Sequence, residues 1–156
     1  MKVTLVSSDQ ASFELDPEAV RHFGVFTGMA SDLGSDQDVT YGVPLSGQLL
    51  GLLVQLAAAH RGDEPVPDNW RQLPPREINA ADTALLGELG GLALIELMRT
   101  ASLLHCQLLL NCVARRFGAA TEDMTPAQIQ DWVGVHIVIG AREREHLRAI
   151  YPAAYE

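Results

Sequence analysis

Hydrophobic and polar residues alternate at the start of the chain, where Val3 and Leu5 flank Thr4 and, beyond Ser7-Ser8-Asp9-Gln10, Phe13 and Leu15 flank Glu14. A period of two predicts two short, half-buried strands joined as a hairpin. Asp16-Pro17-Glu18 then reads as a capped helix start with proline in the first turn, predicting a short helix to about Phe23. Phe26, Met29, Ala30 and Leu33 recur at helical spacing and Gly34 stands where a helix ends. Ser35-Asp36-Gln37-Asp38 is a polar loop, and Val39 to Val43 predicts a third strand stopped by Pro44.

The period changes from Ser46 to His60. Leu49, Leu52, Leu53, Leu56, Ala57 and His60 form one apolar helical stripe, with Ser46 as the cap. Residues 61–77 carry Pro65, Pro67, Pro74 and Pro75 among polar groups, which predicts an extended proline-rich loop. Everything beyond reads as helical: Ala80 to Glu88, Leu92 to Leu103, Cys106 to Phe117, Pro126 to Trp132 and Arg142 to Ile150. The fold class is therefore α+β, a small sheet with packed helices followed by a C-terminal helical extension.

Leu85 to Val113 stands out, with only three charged side chains, Glu88, Glu96 and Arg99, in 29 residues. A helix that is apolar nearly all round must be covered on more than one side. A chain of 156 residues builds one modest core, so this surplus predicts a docking surface for another protein.

Charge narrows the partner. Eleven Lys and Arg against 20 Asp and Glu leave a net charge of −9, a surface that repels a phosphate backbone and argues against nucleic acid. Glu96 and Arg99 interrupt the apolar run, so a membrane span is not expected. The strand-like Lys2 to Val6 opening leaves no room for a signal peptide, and together these features predict a soluble intracellular protein. Cys106 and Cys112, six apart on a presumed helix, point to roughly opposite sides and read as reduced core residues.

Catalytic groups do not converge in the sequence. His22, His60, His105, His136 and His146 are scattered, none at a spacing that resembles a metal signature, so no metal or cofactor is expected. Glu143 and His146 form an i, i+3 pair that reads as a solvated helix face. His105 beside Cys106 suggests a thiol nucleophile, but neighbouring helical side chains diverge by about 100°. Gly87, Gly90 and Gly91 lack a preceding strand and a following Lys-Ser, and read as a helix break or a close helix approach. Trp70 reads as a loop anchor packed back on the body, with a contact residue as the alternative; Trp132 is either core or the centre of a partner groove. The chain is not expected to be an enzyme.

The ordered segments Lys2-Val3-Thr4-Leu5-Val6-Ser7-Ser8-Asp9, Phe13-Glu14-Leu15-Asp16, Met29 with Asp32-Leu33-Gly34, Val43-Pro44-Leu45, Leu92 to Leu104, Leu109-Leu110 and Met124-Thr125-Pro126 with Ile129 resemble the Skp family of ubiquitin-ligase adaptors. The resemblance implies a BTB/POZ-like domain over residues 1–117 and a C-terminal F-box-binding helical extension over 118–156. It implies F-box contacts at Leu109, Cys112, Val113, Ile129, Trp132, Val133, Val135, Ile139, Leu147 and Ile150. Cullin contacts are implied at Met29, Leu33, Thr100, Ser102 and Leu103. The implied role is a non-catalytic adaptor linking an F-box substrate receptor to a cullin-based ubiquitin ligase, in cytoplasm and nucleus.

Departures from the family pattern leave a second reading open. Ser102-Leu103 stand where the family has an Asn-Tyr pair at its cullin contact, and Ala81-Asp82-Thr83 replace a Trp-Asp. Ile137-Val138-Ile139 replace a polar Asn-Asp-Phe, which keeps the tail apolar. The alternative is a Skp-like protein that binds F-box proteins without cullin, self-associating as a homodimer when unpartnered. Pro126 corresponds to a proline that some members hydroxylate; by its position it is a helix-starting proline.

Overall fold

The computed structural model describes residues 1–34, 37–66, 79–136, 138 and 140–152, without the Leu33 side chain. The end of the proline-rich loop with Trp70, and the tail positions Ile137 and Ile139, lie outside the described residues. Three strands, β1 (Val3–Val6), β2 (Ser12–Glu14) and β3 (Val39–Gly42), form one sheet in the order β2-β1-β3. β1 pairs antiparallel with β2, Leu5 opposite Phe13, and parallel with β3, Leu5 opposite Tyr41. Val3 and Leu5 send fully buried side chains to one face, as their alternation predicts.

Helices cover that face. α1 is Gly24–Leu33, α2 Gly47–Ala59, α3 Ala80–Leu86, α4 Gly91–Leu103, α5 Gln107–Thr121, α6 Pro126–Val133 and α7 Ala141–Ile150. The architecture is thus a small sheet with packed helices, the α+β class expected from the residue pattern. Phe23 and Phe26, both fully buried, pack ring to ring at 5.9 Å, and Phe26 meets Tyr41 of β3 edge-on at 5.6 Å. This aromatic chain fastens α1 to the sheet.

The Ser7-Ser8-Asp9 turn has a physical role. The Ser7 hydroxyl donates to the Asp9 carboxylate, which accepts from the Gly47 N–H at 2.9 and 3.1 Å. These bonds hold the Asp9 carboxyl below the usual range and pin the hairpin to the N-terminus of α2, where negative charge is favoured. Gly47 permits the approach, since a Cβ there would lie 2.9 Å from the Ala11 Cβ.

Two local expectations are corrected. The helix expected from Asp16 to Phe23 is only a turn and a 3-10 segment, Val20–His22, because fully buried Phe23 adopts an extended conformation (φ −103°, ψ 99°) before α1 begins. In α2 the buried stripe is Leu50, Leu53, Leu56 and Ala57, whereas Leu49 and Leu52 are half-buried. The helix is apolar on nearly every side and touches Phe13 through Gly51, so sequence periodicity does not single out the deepest face.

Candidate functional site

The C-terminal half is built on α4 and α5, which pack along each other, both against α2 and α5 also against α3. α6 begins with a capping box: the Gln128 N–H donates to the Thr125 hydroxyl at 3.3 Å, and the Thr125 N–H donates to Gln128 Oε1 at 2.8 Å. Pro126 occupies the first turn, where no amide donor is needed. Gly134, left-handed at φ 75°, ends the helix. Trp132 then lies against Phe117, ring centroids 5.4 Å apart, and over Gly91 at the start of α4. Gly91 is thus the close helix approach that the glycine cluster suggested.

Apolar side chains next to Gly91 and along the chain beyond α6 remain wholly or partly in solvent. Leu92 is 52% exposed, Val135 45% and Val138 95%, while Ile129, Trp132 and Leu147 are half-buried. Ile150 and Tyr151 are exposed at the end of α7. α7 has no buried residue and shows mostly charged side chains, so the tail helix is less apolar than expected. Leu109, Cys112, Val113 and Val133, expected at a partner surface, are buried in the chain's own core as it stands.

A second face joins α1 to the α4–α5 junction. The Gly24 N–H donates to the His105 carbonyl at 3.1 Å, and a Cβ on Gly24 would lie 3.0 Å from the His105 Cβ. Met29 is half-buried there, Ser102 and Leu103 are exposed, and Thr100 is buried. Beside this junction is a cavity of about 420 Å³, lined by Arg21, His22, Ala101, Ser102, His105 and Gln107 among others. His22 Nε2 meets the His60 carbonyl at 3.0 Å, and burial lowers the His22 pKa.

A buried polar hub, unseen in the sequence, lies between α2, α3 and α5. His60 Nε2 is 2.6 Å from Asp82 Oδ1 and 3.6 Å from Cys112 Sγ, while Nδ1 is 2.8 Å from Asp63 Oδ2. His60 is 4% exposed, Asp82 3% and Cys112 6%. Scanning for ligand spacing missed the group because 22 residues separate His60 from Asp82 and 52 separate it from Cys112. The one available signal was His60 on the apolar stripe of α2, a polar side chain whose burial demands partners.

The Cys112 sulfur, then the Asp63 and Asp82 carboxylates, outweigh burial and push the His60 pKa up to about 10 from 6.5. A raised pKa contributes stability that is complete below pH 6.5 and is lost as pH climbs toward 10. In buffer containing EDTA, which sequesters divalent metal ions, the urea midpoint should therefore fall between pH 7 and pH 10. His60→Gln should flatten that fall; an unchanged slope would show that His60 is not the titrating group.

The hub resembles a Cys-His-Asp nucleophile in outline, but both reacting side chains are enclosed, so no substrate reaches the sulfur. Burial pushes the Cys106 thiol up to about 12, far from thiolate chemistry. His105 takes a positive φ of 52° between α4 and α5, outside any helix, and Glu143 and His146 are exposed on α7. Among the described residues no helix is long and apolar enough to cross a membrane.

No family model matches the chain. It is 22% identical over 150 residues to SKP1-like protein 18 of Arabidopsis thaliana, covering 94% of this chain and 92% of that protein. It is 22% identical over 167 residues to SKP1-like protein 16 of the same plant, covering 99% and 96%. Similarity spread over nearly the full length of all three supports a distant Skp1-like relationship.

Proposed function

We propose that the chain is a non-catalytic adaptor whose C-terminal face holds an F-box helical bundle and whose α1–α4 face meets a cullin. The observation that carries this reading is the exposed apolar side chains that flank α6: Leu92 next to Gly91, on which half-buried Trp132 rests, and Val135 and Val138 along the chain just beyond the helix. A helical partner with an aliphatic face removes that area from water, and the few charges at the centre avoid buried unpaired ions. The distant Skp1-like relationship agrees with it. Residues 1–117 then act as the BTB/POZ-like body and 118–156 as the extension that takes the F-box.

The cullin half rests on half-buried Met29 of α1 and exposed Ser102 and Leu103 at the end of α4, on the two segments that the Gly24–His105 bond joins. Leu103 stands where an aromatic residue is the family pattern, so capture of an F-box protein without cullin is the second reading. Two variants separate them. Val135→Asp with Val138→Asp should reduce capture of an F-box fragment by roughly thirtyfold, a loss of about 2 kcal/mol at an interface centre. The melting temperature should move little, because Val138 is 95% exposed and Val135 is 45% exposed. Leu103→Asp should weaken capture of a cullin N-terminal fragment alone. F-box binding without cullin binding selects the second reading, and failure of the unmodified chain to bind either fragment overturns both.

A further inference from the structure

We propose that His60 Nε2, Asp82 Oδ1 and Cys112 Sγ form a divalent transition-metal site suited to zinc, with Asp63 orienting the imidazole. The three donor atoms lie within 4.8 Å of one another, all on buried residues. They come from the end of α2, from α3 and from α5, so one ion would tie three helices together.

A carboxylate oxygen on each ring nitrogen of His60, with the Cys112 sulfur beside Nε2, favours a cation at this place. Asp63 accepts from Nδ1 and so fixes the ring with its Nε2 directed at Asp82 and Cys112. A neutral ring would then aim its Nε2 lone pair at a carboxylate oxygen and at sulfur. A proton on Nε2 satisfies Asp82 but can serve only one acceptor fully. A divalent ion serves all three donors, and with a neutral imidazole its charge is balanced by the Asp82 carboxylate and the Cys112 thiolate.

Donor type selects the ion. One imidazole, one thiolate and one carboxylate are zinc ligands, and the sulfur excludes magnesium and calcium. Zinc bonds to nitrogen and sulfur in a tetrahedron set those two atoms ~3.6 Å apart, and the Cys112–His60 separation is 3.6 Å. The same geometry sets nitrogen and oxygen ~3.3 Å apart, so the 2.6 Å His60–Asp82 contact is that of the proton-bridged form and opens by less than an ångström on loading. A carboxylate behind the ligating imidazole is the usual outer partner of a histidine on zinc, and Asp63 supplies it. The fourth position falls to a ligand outside these three side chains.

Zinc must displace the proton from His60 Nε2 and the proton of the Cys112 thiol, both of which leave to solvent, so binding releases protons and tightens as pH rises. This site stands independently of the docking reading. The test uses the full-length chain. Elemental analysis of the purified protein should find one equivalent of zinc. After chelation, added cobalt(II) should give tetrahedral visible bands and a thiolate charge-transfer band, and added zinc should raise the melting temperature. Cys112→Ser should lose the charge-transfer band while staying folded by circular dichroism. If the unmodified chain carries no zinc, gives no cobalt bands and melts identically with and without zinc, the cluster is proton-bridged only and the proposal fails.

Discussion

His60→Leu should destabilise the protein by roughly 3–5 kcal/mol, the cost of stranding a buried charge. Asp82 is 3% exposed, and His60 is the partner that its carboxylate has among the described residues. Removing the imidazole leaves that carboxylate in a low-dielectric setting with no donor, while the leucine fills most of the space the ring leaves. The penalty is therefore electrostatic rather than a cavity, and a second substitution tests that attribution. In His60→Leu with Asp82→Leu both charges are gone and apolar volume takes their place, so much of the loss should return. Urea denaturation at pH 7 reads both variants. A double variant as unstable as the single one would locate the cost in packing, and a single variant within about 1 kcal/mol of the parent would mean that Asp82 finds water or a proton.

Capping chemistry made the helices legible. Ser46 accepts from the Leu49 N–H, Pro126 starts α6 and Gly34 ends α1 with positive φ, each read from a few neighbouring residues, whereas the Thr125–Gln128 box and Gly134 of α6, though equally local, were not read. The hairpin and the third strand were legible from equally local patterns, but the parallel pairing of β3 with β1 was not. The hub was not, because His60, Asp82 and Cys112 meet only after α2, α3 and α5 pack. Leu85 to Val113 shows the same limit from the other side. Its apolar surface splits among α3, α4 and α5, and Leu86, Leu94, Leu97, Leu104, Leu108 and Leu109 are all buried within the chain. Most of the surplus is thus consumed internally. What stays exposed is Leu92 and Leu103 at the two ends of α4, together with residues beyond α6. Composition gives the amount of apolar surface, whereas helix contacts decide where it is left over.

That leftover surface depends on one glycine. Gly91→Val should displace α6 and abolish capture of an F-box fragment. A Cβ at this position would lie 2.7 Å from Trp132 Cε3 and 2.9 Å from Val133 Cγ2, well inside van der Waals contact. Helix propensity alone favours replacing a glycine by about 0.5–1 kcal/mol when the new residue is alanine, but overpacking costs about 1–3 kcal/mol. The clash wins here because two side chains of α6 stand in the way, Trp132, whose ring packs on Phe117 at 5.4 Å, and Val133, and a β-branched side chain has no rotamer that removes its own Cβ. α6 must lift, carrying with it the segment that presents Val135 and Val138. In a Trp70→Phe background, where Trp132 is the one remaining indole, its fluorescence should shift to the red as the ring enters water. Adding Trp132→Leu to Gly91→Val trims the obstructing ring and should restore part of the stability. A variant with unshifted emission and full F-box capture would mean that α6 tolerates the added methyls, and that its seat on α4 does not set the docking face.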